Sequence, residues 1–138
     1  MKFFATDRTN YAALLARLTL GLVMLPHGLQ KTLGLFGGPG FSGAMQFLSP
    51  IASTPVAFLV ILGESLGALG LIFGFITRFC AASIGVIMVG AIALYAWPNG
   101  FFLPNGYEFH LLMIGLALSL VVSGGGAYSV DSAIAAKK

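Results

Sequence analysis

Four long apolar runs, separated by short clusters of Gly, Pro, Asn and charged residues, set the pattern of this chain. They cover residues 11–28, 55–75, 78–97 and 106–123. The runs lack the apolar–polar alternation of a half-buried strand, and they are rich in Leu, Ala and Gly. Each comes near the ~20 residues that a helix, rising ~1.5 Å per residue, needs to cross ~30 Å of hydrocarbon. Helices satisfy their own backbone groups in lipid, which open strands cannot do. The pattern therefore predicts an all-α membrane protein, a bundle of four transmembrane helices forming a single domain over residues 1–138.

The ends of the runs carry start and stop signals. Thr54 followed by Pro55 reads as an N-cap and a proline in the first turn, where the missing N–H costs nothing. Thr77 fits the same capping role before the third run. Asn105 with Glu108 three residues on resembles a capping box. Turn residues Pro98, Asn99 and Gly100, then Pro104, Asn105 and Gly106, separate the last two runs. Tyr95, Trp97, Phe101, Phe102 and Tyr107 gather there as an aromatic belt at headgroup level. Gly124, Gly125 and Gly126 end the fourth run. The connection at 29–53 is long and apolar, with Leu33, Leu35, Phe36, Phe41, Met45, Phe47 and Leu48. It is expected to form an interfacial loop or short helix lying on the bilayer or capping the bundle.

Composition strengthens this picture. Hydrophobic residues make up 58% of the chain and charged residues 8%. A soluble domain carries roughly 25% charged residues to cover its wet surface, so much of this surface is expected to face lipid. The net charge is +3, but the basic residues sit near run ends and do not form clusters, which argues against nucleic acid. With four spans, Lys2, Arg8, Arg78, Lys137 and Lys138 share one side and Lys31 stands alone on the other. The positive-inside rule then places both termini in the cytoplasm. Arg17 interrupts the first run and Pro26 and His27 follow it without a small-residue cleavage pattern, so this run is expected to be retained and not cleaved. The single Cys80 excludes an intramolecular disulfide and a CxxC redox pair.

Two charges inside the runs are the main chemical signal. A charge at the bilayer centre costs on the order of 2.5–3.5 kcal/mol even on the lenient insertion scale. Arg17 and Glu64 should therefore face the bundle interior. Counting from the run ends, their heights differ by only ~5 Å, which predicts a bridge between them, direct or through water. The pair reads as a structural clamp, as a proton or ligand site, or as two charges on a water-filled crevice. Gly63, Gly67, Gly70 and Gly74 on one run, and Arg17, Gly21, Met24 and Gly28 on another, recur at helical spacing and predict close helix packing.

A second group is expected at the outer face. His27, Gln30 and Lys31 leave the first run there, and Glu108 and His110 begin the fourth. His27 and Lys31 are i, i+4 neighbours if the helix continues past Pro26. The group can bind a polar headgroup, shuttle protons or hold a metal, though its spacing matches no recognised metal motif. Taken singly, Glu108 reads as a helix cap and each histidine as a hydrogen-bonded interfacial residue. No hydrolase, P-loop or dinucleotide fingerprint is present, and no bound metal, haem or flavin is expected.

Several short pieces in order carry a family resemblance. They are Ala16, Arg17, Leu18, Leu20 and Gly21; His27, Gly28, Gln30 and Lys31; then Gly37 and Gly38. Leu62, Gly63 and Glu64 follow with Gly67 and Gly70, and then the run from Phe73 through Thr77 and Arg78 to Ala81 and Ala82. Gly100, Phe101, Phe102, Tyr107, Glu108, Ser129 and Asp131 complete them. Over residues 16–131 the chain resembles the DoxX family of small bacterial inner-membrane proteins. That resemblance implies a four-helix bundle in the inner membrane and a link to quinone-dependent oxidoreductases. It makes Arg17, His27, Lys31, Glu64 and Glu108 the natural functional set, with Asp131 as an outlier near the cytoplasm. The expected function is thus a membrane component of a quinone-linked redox system. The expected ligand is a quinone-like or other small amphipathic molecule, and a redox partner subunit or a homodimer is the expected assembly. A non-enzymatic carrier or assembly subunit, with Arg17 and Glu64 as a clamp, is the alternative.

Overall fold

The computed structural model describes residues 3–137. Lys2 and Lys138, which enter the charge asymmetry, lie outside them. The helices are α1 (Tyr11–Thr32), α2 (Gly40–Leu48), α3 (Thr54–Phe73), α4 (Thr77–Asn99), α5 (Glu108–Ser123) and α6 (Val130–Ala136). No strand occurs among the described residues. Three of the helices, α1, α3 and α4, have 22, 20 and 23 residues and are long and apolar enough to cross a bilayer; α5 is a shorter apolar helix of 16.

Burial divides each long helix into two faces. Leu20 and Met24 of α1, Leu71 of α3, Ile84 of α4 and Met113 and Leu120 of α5 meet in the core. Leu15, Leu22, Leu59, Leu66, Val86, Leu112 and Val122 stand exposed on the outer faces of the same helices. Large side chains exposed on every long helix leave a continuous apolar exterior, which water does not tolerate and lipid does. The chain is a multi-pass membrane protein.

Local chemistry sets the helix ends. Asn10 Oδ1 accepts from Ala13 N–H at 2.9 Å and opens α1. That helix runs through Pro26 and four residues beyond the expected end, closing with Leu33 N–H on Leu29 O at 3.0 Å. Ser53, not Thr54, caps α3, its Oγ accepting from Val56 N–H at 3.3 Å. The helix stops at Gly74 in the left-handed region, φ 67°. There Phe75 N–H reaches Gly70 O at 2.9 Å and Gly74 N–H reaches Leu71 O at 3.2 Å, the paired bonds of a Schellman stop. A Cβ at Gly74 would also collide with Ser129. The connection between α1 and α3 contains a short 3₁₀ turn, Leu35–Gly37, and α2, which packs on both neighbours.

The third long helix is capped from a distance. Thr77 was expected to open it, yet Thr77 lies inside the first turn, its buried hydroxyl without a hydrogen-bond partner among the described residues. Asp131 on α6 does the capping: its two carboxylate oxygens accept from Ile76 and Thr77 N–H, both at 2.8 Å. A residue 54 positions away thus supplies what a local side chain usually does.

Arg17 closes the end of the bundle that holds both termini. It is 1% exposed. Nε donates to Gly125 O at 3.0 Å; Nη1 donates to Leu71 O at 3.1 Å and Ile72 O at 2.6 Å; Nη2 donates to Ala127 O at 3.0 Å and Tyr128 O at 3.2 Å. All five guanidinium donors are thereby used. Leu71 and Ile72 end α3, where carbonyls lack helical partners and the macrodipole favours a cation. Arg78 at the start of α4 does the same for α5, donating to Val121 and Val122 carbonyls and to Ala5 O.

Lysine has three donors and no planar fork, so Arg17→Lys must leave carbonyls unpaired. Arg17→Lys is expected to cost ~2 kcal/mol or more, and Asp131→Ala ~1–2 kcal/mol, read as lowered thermal stability in mild detergent. Wild-type stability in Arg17→Lys would show that charge alone, not the carbonyl network, is what the bundle needs.

Candidate functional site

The second buried charge lies elsewhere. Glu64 forms an ion pair with Lys31, not with Arg17. The expected Arg17–Glu64 bridge, and the clamp reading that rested on it, are corrected by the register of α1 against α3. Gly21 packs on Ala68 and Ile72, and Gly28 packs on Glu64 and Ser65. Glu64 therefore stands level with Gly28, eleven residues beyond Arg17 on α1, or ~16 Å along the helix axis. Both charges do face inward, as the cost of placing them in lipid requires.

Glycine makes this register available. A Cβ on Gly28 would stand 2.7 Å from the Glu64 carbonyl oxygen and 2.7 Å from Ser65 Cα, both rigid backbone atoms. The other glycine row turns away: Gly63, Gly67 and Gly70 lie against Ile87, Ile84 and Cys80 of α4. Glu64 occupies the sector between the two packed faces. It also sits in a π-helical turn, Gly63–Gly67, inside α3. Such a turn widens the helix locally and recurs at functional sites. Ser65 in the same turn donates its hydroxyl to Ile61 O at 2.8 Å.

The ion pair joins an open position to a closed one. The Lys31 side chain is 24% exposed and that of Glu64 6%. Lys31 lies in the last turn of α1, where its charge also complements the helix dipole. Gln30 Nε2 donates to Phe36 O at 3.4 Å and ties the following loop back over this end.

Two imidazoles lie toward the same end of the bundle, His27 one turn before Lys31 on α1 and His110 in the first turn of α5. His27 Nδ1–H donates to Val23 O at 2.9 Å. With Nδ1 committed, the neutral ring offers Nε2 as an acceptor. The His27 ring stacks on Phe109 with centroids 5.5 Å apart and planes 25° apart. His110, next in sequence and 5.5 Å from Phe109, has a buried Nδ1 with no hydrogen-bond partner among the described residues. Glu64 and His27 are both near enough to act on His110 electrostatically.

The remaining sequence candidates fall outside this group. Arg17 belongs to the opposite end. Glu108 opens α5, but Asn105 makes no capping box with it; Glu108 Oε1 accepts from Leu103 N–H at 3.2 Å. The turn before α5 folds over its own first residue, with Tyr107 N–H on Gly100 O at 3.0 Å and Glu108 N–H on Phe101 O at 2.9 Å. Glu108 also lines an open apolar groove of about 500 Å³ with Phe101, Leu111, Leu112, Gly115 and Leu116. No three His, Cys, Asp or Glu side chains gather in a metal-holding group among the described residues. Ser65, Phe109 and the π-helical turn join the site without a sequence signal, since only packing between helices gives them neighbours. Chemically, the arrangement offers a cation, a carboxylate and imidazoles at one end of the bundle, groups able to hold hydrogen bonds and pass protons.

If the pair is as drawn, removing its members is not symmetric. Lys31→Ala leaves the Glu64 charge buried alone and is expected to cost ~3 kcal/mol. The double variant Lys31→Ala with Glu64→Gln should recover stability relative to Lys31→Ala in thermal unfolding. A double variant no better than Lys31→Ala would exclude the pairing. Gly28→Ala forces backbone apart and should destabilise by ~1–3 kcal/mol in the same measurement.

A family model described as DoxX matches residues 12–97. The matched stretch contains Arg17, His27, Lys31 and Glu64. No curated protein and no solved structure matches the chain.

Proposed function

This chain belongs to the DoxX family, and from that premise we propose that it is a membrane component of a quinone-linked redox system, with its ligand held beside the Lys31–Glu64 pair. The observation that carries the reading is that pair itself, a carboxylate buried in a π-helical turn and joined to a partly exposed lysine one helical turn beyond His27. A quinone is an apolar ring with two carbonyl oxygens. It needs apolar walls and a few placed donors. Lys31 and an imidazole N–H supply donors. Glu64 and the histidines supply places for the protons that a quinol gives up. The electrons pass to a redox partner subunit.

The membrane setting follows from the same reading. α5 forms the fourth span, shorter than the others and completed by the aromatic turn before it. Arg8, Arg78 and Lys137 lie at the end that holds the termini, and this end faces the cytoplasm of a bacterial cell under the positive-inside rule. The Lys31–Glu64 site then opens toward the outer face of the inner membrane. Two copies of a four-helix chain form the unit.

The experiment is binding of a short-chain ubiquinone to the detergent-purified protein, followed by equilibrium dialysis and by thermal shift. Saturable binding with a raised melting temperature is expected, and Glu64→Gln should weaken it about tenfold, the loss of one charged hydrogen bond. No saturable binding by the wild type would overturn the quinone reading. Flux of an amphipathic solute into liposomes without redox change would assign the same site to a carrier instead.

A further inference from the structure

Glu108 carries a charge without a counter-charge among the described residues. Its Oε1 accepts from Leu103 N–H at 3.2 Å, and the other carboxylate oxygen has no hydrogen-bond partner there. Cations elsewhere in the bundle are engaged: Lys31 with Glu64, and Arg17 and Arg78 with backbone carbonyls at the end that holds the termini.

The half-buried Glu108 stands at the head of the open groove on α5, whose other walls are apolar. Leu111 and Leu112 lie one turn along the helix and Gly115 and Leu116 a second, ~12 Å from Glu108 along the axis. Nothing stands within 4 Å of the place a Cβ would take on Gly115, so bare backbone leaves the floor of the groove open. Leu111 and Leu112 are exposed, as residues facing lipid are. Aromatic rings form the rim. Phe101 meets Tyr107 edge-on at 5.7 Å, and Tyr107 stacks on Trp97 at 5.2 Å. Trp and Tyr gather at the headgroup level of a bilayer. The groove thus starts among headgroups and descends into hydrocarbon.

Its two halves select an occupant. The lower half suits an alkyl chain. The upper half presents a carboxylate oxygen, which calls for a cation with N–H donors. A phospholipid with a primary-amine headgroup has both parts, an ammonium with three N–H donors and long acyl chains. A choline headgroup has the charge without the donors, and an anionic headgroup is repelled. Length supports the same occupant. The 16 residues of α5 span ~24 Å, short of the ~30 Å of hydrocarbon, and a lipid held at the start of the helix covers the difference. Taking α5 as the fourth span, and independently of the quinone reading, we propose that this groove binds one phosphatidylethanolamine molecule. Its ammonium bonds the open Glu108 oxygen, and one acyl chain lies along Leu112 and over Gly115.

The test places a reporter in the groove. Trp97 is the single tryptophan, so Trp97→Phe with Leu112→Trp puts one fluorophore on the groove wall. Trp97→Phe with Leu118→Trp puts one on an exposed position of α5 outside the groove. Each protein is reconstituted in vesicles of phosphatidylcholine and phosphatidylethanolamine, with bromine on the acyl chains of one lipid or the other. At Leu112→Trp, brominated phosphatidylethanolamine should quench about fivefold more effectively per lipid, as one partly exposed ion pair allows. Adding Glu108→Gln should bring the two lipids to parity, and at Leu118→Trp they should quench alike. Thermal shift of the wild type in detergent gives a second readout, and it decides alone if Leu112→Trp fails to fold. Short-chain phosphatidylethanolamine should raise the melting temperature more than short-chain phosphatidylcholine or phosphatidylglycerol, and Glu108→Gln should abolish the difference. Equal effects of the headgroups, or a preference that survives Glu108→Gln, would overturn the proposal and leave the quinone reading standing. Quenching at Leu118→Trp but not at Leu112→Trp would overturn it in favour of a second copy of the chain covering the groove. Quenching at neither position would remove α5 from the bilayer, and the fourth span and this inference would fall together.

Discussion

A guanidinium inside an apolar bundle constrains everything around it. Arg17 cannot lose its charge and cannot stay unsolvated. Its five donors are met by five backbone carbonyls, two from the last turn of α3 and three from the segment that follows α5. Those carbonyls would be orphans at a chain bend, so each side of the arrangement satisfies the other. The chain must therefore bring residues 125–128 back across the ends of α1 and α3. Gly74 lets Ser129 approach, and Asp131 then arrives at the start of α4 to cap it. One buried cation thus organises the end of the bundle that holds both termini.

The opposite end is built on a different principle. There the charges meet each other, and one member, Lys31, reaches outward while Glu64 stays within. The end that holds the termini is fixed by many backbone contacts. The Lys31 end relies on one ion pair, a π-helical turn and the stack of His27 on Phe109. The Gly28 contact keeps the two ends apart by setting α1 against α3 so that Glu64 lies far from Arg17. A stagger shifted by three turns would have brought the two charges level.

The family match spans α1 to Trp97 and includes Lys31 and Glu64. His110 comes from α5, after that stretch. It joins the others only because α5 packs against both α1 and α4. The site is therefore a product of the whole bundle and not of one segment of chain.

Much of the fold was legible in the residues alone. Apolar run length located α1, α3, α4 and α5 to within a few residues, because crossing hydrocarbon demands a minimum length and permits few charges. The same cost required Arg17 and Glu64 to face inward, and they do. Small residues marked the packed faces of α1 and α3 correctly. The partners were not legible. A helix's own sequence states which face is buried but not how far it slides along its neighbour. That slide, set by a contact at Gly28, paired Glu64 with Lys31 and gave Arg17 to the carbonyls. Capping was misread at Thr77 and Asn105 for a related reason, since Asp131 and the turn at 100–107 supply those bonds from positions that local rules do not search. Composition and periodicity determined that the chain lives in a membrane and hides its charges; only tertiary contact, which depends on stagger between helices, decided which groups those charges meet.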